Sequence, residues 1–150
     1  MLEDAFSKVY TKFKLSFYKK IFNRFEQREA TLTAVETFCV EAIYALSRPT
    51  INEFAQFVRI SPANATYKIN SLVKKGYVVK IRSQHDKREY YLDTTEKFMN
   101  YYALTSDYVK VVIGRMKERF SEKDIKKFES MLEVICSELM PEVTLKRENT

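Results

Sequence analysis

Between Ser61 and Gly76 the chain reads SPANATYKINSLVKKG, and both ends of one helix are written into that stretch. Ser61 can accept from the first free backbone N–H groups, Pro62 suits the first turn, and Gly76 suits the left-handed C′ position. Ala65, Ile69 and Leu72 recur at helical steps as a buried stripe, which leaves Asn64, Tyr67, Asn70, Ser71 and Lys74 facing outward. Directly after Gly76 the pattern becomes strand-like: YVVKI, then the polar run SQHDKRE, then YYL. A helix with two defined ends that runs straight into a hairpin leaves few folds open.

The rest of the chain is helical in its spacing. It has only two Gly and three Pro in 150 residues, so breakers are scarce. Leu2, Phe6, Val9, Phe13, Phe17, Ile21 and Phe25 step by three or four along one stripe of a long first helix. A second helix is expected from about Thr33 to Leu46, with Val35, Phe38, Cys39, Ala42, Ile43 and Leu46 inward and Pro49 as its stop. Thr50 and Glu53 have capping-box spacing, with Asn52 as an alternative cap, and open a short helix to about Val58 on Phe54, Ala55 and Phe57. Helical spacing returns from about Thr95 through Phe98, Tyr102, Val109, Val112, Ile113, Met116 and Phe120. SEKD at Ser121–Asp124 caps a last helix carrying Ile125, Phe128, Leu132, Ile135 and Leu139. There is no internal repeat. The fold class is therefore mainly α with one small β-hairpin (α+β), in a chain long enough to bury a core as one domain.

Composition narrows the function. Cys39 and Cys136 match no metal-ligand spacing, and the single His85 leaves no imidazole pair for a zinc site or acid–base chemistry. Both cysteines read as small core residues. With no glycine-rich phosphate loop and no nucleophile motif, neither a cofactor, a metal nor an enzyme is expected. No basic-then-apolar leader and no apolar run of about 20 residues appears, so the expectation is a cytoplasmic protein with no membrane partner. From Phe54 to His85 there is no acid at all, while Arg59, Lys68, Lys74, Lys75, Lys80 and Arg82 are basic. Those six account for the whole net charge of +6, because the remaining 20 Lys and Arg balance 20 Asp and Glu. An anionic partner is to be sought there.

A short helix, a turn, a capped second helix and a charged hairpin, in that order, describe a winged helix-turn-helix. A helix about 10–12 Å across fits the ~12 Å major groove of DNA, and short polar side chains on its outer face reach base edges. The hairpin extends sideways, where an arginine is favoured in a narrow minor groove. The stretch PTINEFAQFVRISPANATYKINSLVKKGYVVKIRSQHDKREYYLDTTEKF resembles the multiple-antibiotic-resistance regulator (MarR) family of bacterial transcription factors. The marks are EFA, the IS before the recognition helix, SLVKKGYVV at its exit, and the Asp-x-Arg of DKR in the wing followed by TTEK. Two positions depart from the family: Thr94-Thr95-Glu96-Lys97-Phe98 stands where Leu-Thr-x-x-Gly is usual, and Tyr67 holds a position often basic.

The resemblance implies a homodimeric, ligand-responsive repressor on an inverted-repeat operator of double-stranded DNA. Residues 1–30 and 95–140 would form the helical dimerisation region, 33–94 the winged helix-turn-helix, and 141–150 a flexible tail. Asn64, Thr66, Tyr67 and Asn70, with Ser61 at the helix start, become candidates for base or phosphate contact, joined by the basic Lys74, Arg82 and Lys87. Arg88 would enter the minor groove, with Asp86 either orienting it or serving as a plain turn residue. Lys74 and Lys75 also suit the helix dipole, so a structural role is equally open to them. A small-molecule effector would lie among aromatics of the first, second and fifth helices. An alternative is a winged-helix module that binds protein without specific DNA readout, to which the departures at Tyr67 and Phe98 point.

Overall fold

In a computed structural model, which describes residues 1–26 and 32–143, the chain forms six α-helices and one two-stranded antiparallel sheet among those residues. The elements are α1 Leu2–Glu26, α2 Ala34–Leu46, α3 Ile51–Val58, α4 Pro62–Lys74, β1 Val78–Arg82, β2 Tyr90–Thr94, α5 Glu96–Arg119 and α6 Glu122–Glu138. Most of the expected tail, from residue 144 on, and the side chain of Phe25 lie outside the described residues. The chain divides into two compact units, one from Met1–Asn23 with Ala103–Thr144 and one centred on Arg24–Tyr102.

The central unit carries the buried core. Val40, Ile43, Phe54, Ala65, Ile69, Leu72, Val78, Leu92 and Phe98 are essentially inaccessible, drawn from α2, α3, α4, the hairpin and α5. Local chemistry sets the element ends. Thr33 and Thr50 each form a full capping box, with Glu36 and Glu53 at the third helical position. That resolves the choice at α3 in favour of Thr50 over Asn52. Gly76 has φ +83°, the left-handed geometry that glycine adopts without a Cβ penalty. Beyond the hairpin, Pro49 and Thr50 lie along β2, Pro49 O accepting from Leu92 N at 2.8 Å and Thr50 bridging Tyr91.

The Thr-Thr-Glu-Lys-Phe segment closes this unit. Thr95 Oγ1 donates to Gly76 O at 2.6 Å and accepts from Phe98 N at 3.4 Å, so one hydroxyl ties the end of α4 to the start of α5. Phe98 is fully buried, with its ring centroid 5.5 Å from that of Tyr44 and 5.6 Å from that of Tyr102. An aromatic here fills the space in the core.

Three expectations of inward-facing side chains are corrected. In α2, Val35 and Phe38 are exposed, and Thr37 and Val40 are buried in their place. Thr37 is tolerated inside because its hydroxyl donates to Thr33 O at 3.0 Å; in a helix apolar on nearly every side, spacing alone does not choose the face. In α3, Phe57 is exposed while Phe54 and Ala55 are buried. Cys39 is buried as expected, but Cys136 is exposed, because α6 has no buried residue.

In the other unit, Phe13 of α1 and Tyr108 of α5 meet edge to face at 5.6 Å. Leu2, Phe6 and Val9 of α1 and Phe128, Met131 and Leu132 of α6 remain exposed. Met116, Phe120, Ile125 and Phe128 line an open groove of about 350 Å³ between α5 and α6. Among the described residues, no helix is long and apolar enough to cross a membrane.

Candidate nucleic-acid interface

The site is built on α3, the turn after it, α4 and the hairpin. α3 ends at Arg59, whose left-handed backbone (φ 55°, ψ 48°) reverses the chain, with Ile60 N donating to Ala55 O at 3.0 Å. Two residues later Ser61 caps α4, its Oγ accepting from Asn64 N at 3.2 Å, and Pro62 takes the first turn. The buried stripe Ala65, Ile69 and Leu72 then fixes the rotation of α4 about its axis, so its opposite face is set by packing.

On that opposite face Asn64, Tyr67, Asn70 and Lys74 are all exposed, and Ser61 lies at its start. Tyr67 is 76% exposed, a large ring left in solvent in the middle of a well-packed helix. Thr66 is half-buried and its hydroxyl donates to Pro62 O at 2.8 Å, which commits its proton to the helix itself. Ser71, expected to face outward, instead turns inward: its Oγ donates to Glu36 Oε1 at 2.5 Å. Lys75 joins it, with Nζ 2.7 Å from Glu36 Oε2, so this lysine braces α4 against α2. Lys74, by contrast, is exposed and has no ion pair among the described residues.

Glu36 was missed in the sequence, although the Thr33-x-x-Glu36 spacing marks it as a capping residue. It accepts from Thr33 N at 2.8 Å, from Ser71 and from Lys75, with its side chain only 12% exposed. Burial alone would raise its pKa. The hydrogen bonds from Lys75, Ser71 and Thr33, with the charge of Lys75, outweigh that and hold the carboxyl at about 2. One ionised carboxylate thus clamps the end of α4 to α2. On the same helix burial pushes the Glu41 carboxyl up to about 7.

The hairpin pairs Val78 with Thr94, Lys80 with Leu92 and Arg82 with Tyr90, and its tip runs from Ser83 to Glu89. The tip is built around Ser83, a second residue missed: it is buried, its Oγ accepts from His85 N and Asp86 N at 3.2 Å each, and its own N–H donates to Glu89 O at 2.9 Å. Arg82 Nε donates to Lys87 O at 2.8 Å, drawing part of its guanidinium into the turn. Asp86 Oδ1 accepts from Arg88 N at 2.9 Å and lies 3.5 Å from Arg88 Nε. The first contact is an Asx turn and the second a loose ion pair. Arg88 is 93% exposed at the tip, with Lys87 and His85 beside it in solvent.

Residues 32–90 match the model of the MarR family. The winged helix is a MarR-family domain. Over about nine-tenths of its length the chain shares its fold with solved structures. The chain resembles Streptococcus pneumoniae FabT in complex with DNA at 19% identity and a TM-score of 0.60, over 93% of this chain and 97% of that one. A MarR family protein from Bacillus stearothermophilus matches at 16% identity and a TM-score of 0.65, over 92% of each chain. A MepR mutant from a multidrug-resistant S. aureus clinical isolate matches at 13% identity and a TM-score of 0.65, over 90% and 97%. Among curated proteins no sequence match is found.

Proposed function

We propose that this MarR-family protein is a homodimeric, sequence-specific repressor that binds an inverted-repeat operator and is released by a small-molecule effector. The observation that carries the DNA part is the juxtaposition of the exposed polar face of α4, inside the acid-free basic window, with the arginine-tipped hairpin that follows it. In this reading Asn64, Tyr67 and Asn70 meet base edges or phosphates. Ser61 and Lys74 hold phosphates, and Arg88 enters the minor groove on a turn held by Asp86. Lys87 and Arg82 contribute to the backbone field. Thr66 is the weakest member, because its hydroxyl proton is already engaged. FabT, which shares this fold, is solved in complex with DNA, and that supports DNA as the partner.

Dimerisation is supported by the apolar residues that α1 and α6 leave exposed, a pattern that chains avoid unless another surface covers it. Residues 1–30 and 95–140 would supply that interface, and half-sites would then lie one helical turn apart. For the effector, Glu41 is the place to look: its Oε1 is buried with no hydrogen-bond partner, near the Tyr44–Tyr102 pair. The test is a gel-shift series against a selected palindrome at several salt concentrations, with light scattering on the free protein. Binding that is indifferent to salt and equal for every sequence, or a monomer at micromolar concentration, removes this reading.

A further inference from the structure

Asn70 and Lys80 come from different elements and meet at the edge of the candidate interface. Val78 and Lys80 share one face of β1, the face on which Val78 is buried and Lys80 lies opposite the buried Leu92. The lysine stem follows that face outward, and Nζ donates to Asn70 Oδ1 at 2.5 Å. An ammonium carries donors and no acceptor, so it dictates which end of the amide it meets. The oxygen is turned towards the wing, and the two N–H bonds of Nδ2 remain to face a partner.

We propose that Lys80 locks Asn70 as a donor-only reader, so that the recognition helix selects guanine over adenine at the base that Asn70 meets. This rests on the DNA-binding reading above. An unconstrained asparagine reads adenine by accepting from N6 while donating to N7. With an ammonium already on Oδ1, the adenine amino group meets a positive charge where it needs an acceptor. Guanine presents O6 and N7, both acceptors, which match the amide N–H groups and the neighbouring ammonium. Thymine offers one acceptor, O4, beside a methyl group, and cytosine offers a donor. Guanine is therefore the best match and thymine the next.

The experiment selects bound duplexes from a random pool with the full-length protein, its Asn70→Ala, Asn70→Asp and Lys80→Met variants, at one salt concentration. Base preferences are compared within each selected pool, so a lost charge, which weakens all sequences alike, drops out. Asn70→Ala identifies the responsive base pair as the one whose preference flattens. The expected result is guanine there by about tenfold over adenine in the unmodified protein, and a shift towards adenine of similar size in Lys80→Met. Asn70→Asp keeps the Lys80 partner, turns an acceptor outward and is expected to abolish the guanine preference, a readout that stands even if Lys80→Met does not fold. Adenine in the unmodified protein, an unchanged preference in Lys80→Met or Asn70→Asp, or no base pair responding to Asn70→Ala overturns the inference while leaving specific DNA binding intact. Failure of the unmodified protein to enrich any sequence instead overturns the DNA-binding reading, and this inference falls with it.

Discussion

Glu36 and Glu41 stand five residues apart on α2, and burial raises the pKa of both, yet their carboxyls end on opposite sides of the ordinary 4.5: about 2 for Glu36 and about 7 for Glu41. The consequence is a stability curve with two limbs. The folded chain holds Glu36 ionised below the pH at which the unfolded chain takes up a proton, so its contribution is complete above about 4.5. It is lost as pH falls towards 2. Glu41 has the reverse sign: between 4.5 and 7 the folded chain retains a proton that the unfolded chain has released. Its stability is therefore highest below 4.5, declines as pH rises to about 7, and is level above.

Either displacement converts to ~3 kcal/mol at ~1.4 kcal/mol per pH unit. Neither residue is fully enclosed, and solvent screening reduces this to about 1–2 kcal/mol each. The two limbs meet near pH 4.5. Urea denaturation from pH 3 to 8, at fixed protein concentration, reads this through differences between variants. Glu36→Gln should be less stable than the parent by about 1–2 kcal/mol above pH 5, with the difference shrinking as the pH is lowered. Glu41→Gln should match the parent near pH 4 and exceed it by about 1–2 kcal/mol at pH 8, because a neutral amide does not require a buried charge. A Glu41→Gln difference that stays constant from pH 4 to 8 would show that this carboxyl titrates normally and refute the reasoning.

Other perturbations separate core, turn and interface. Phe98→Ala removes a fully buried ring from the Tyr44 and Tyr102 cluster and should cost ~3–5 kcal/mol in the same assay. Arg59→Gly relieves a left-handed backbone at φ 55° and should raise stability by on the order of 0.5–1 kcal/mol, seen as a higher thermal midpoint. Arg88→Ala should leave that midpoint unchanged, since its side chain is nearly all in solvent, while weakening operator binding by ~1–3 kcal/mol. Equal operator affinity for Arg88→Ala and the parent would favour a protein-binding module.

What was legible in the sequence, and what was not, divides by sequence distance. The caps at Thr50, Ser61 and Ser121 and the left-handed Gly76 act within one helical turn, so a few neighbouring residues decide them. The stripe Ala65, Ile69 and Leu72 was legible because the rest of α4 is polar enough to leave one apolar face. In α2 nearly every side is apolar, and only tertiary packing chose Thr37 and Val40 over Val35 and Phe38. The contacts that give the interface its chemistry span longer gaps: Glu36 reaches Ser71 and Lys75 across 35 and 39 residues, and Lys80 reaches Asn70 across ten. Charge count alone treats Lys74, Lys75 and Lys80 as equivalent members of one basic patch. Their partners divide them: Lys75 is held by a carboxylate, Lys80 caps an amide oxygen, and Lys74 is exposed with no ion pair among the described residues. On that division, Lys74→Ala should lower the salt slope of operator binding by about one. Lys75→Ala should act through stability, because it leaves Glu36 without its cation.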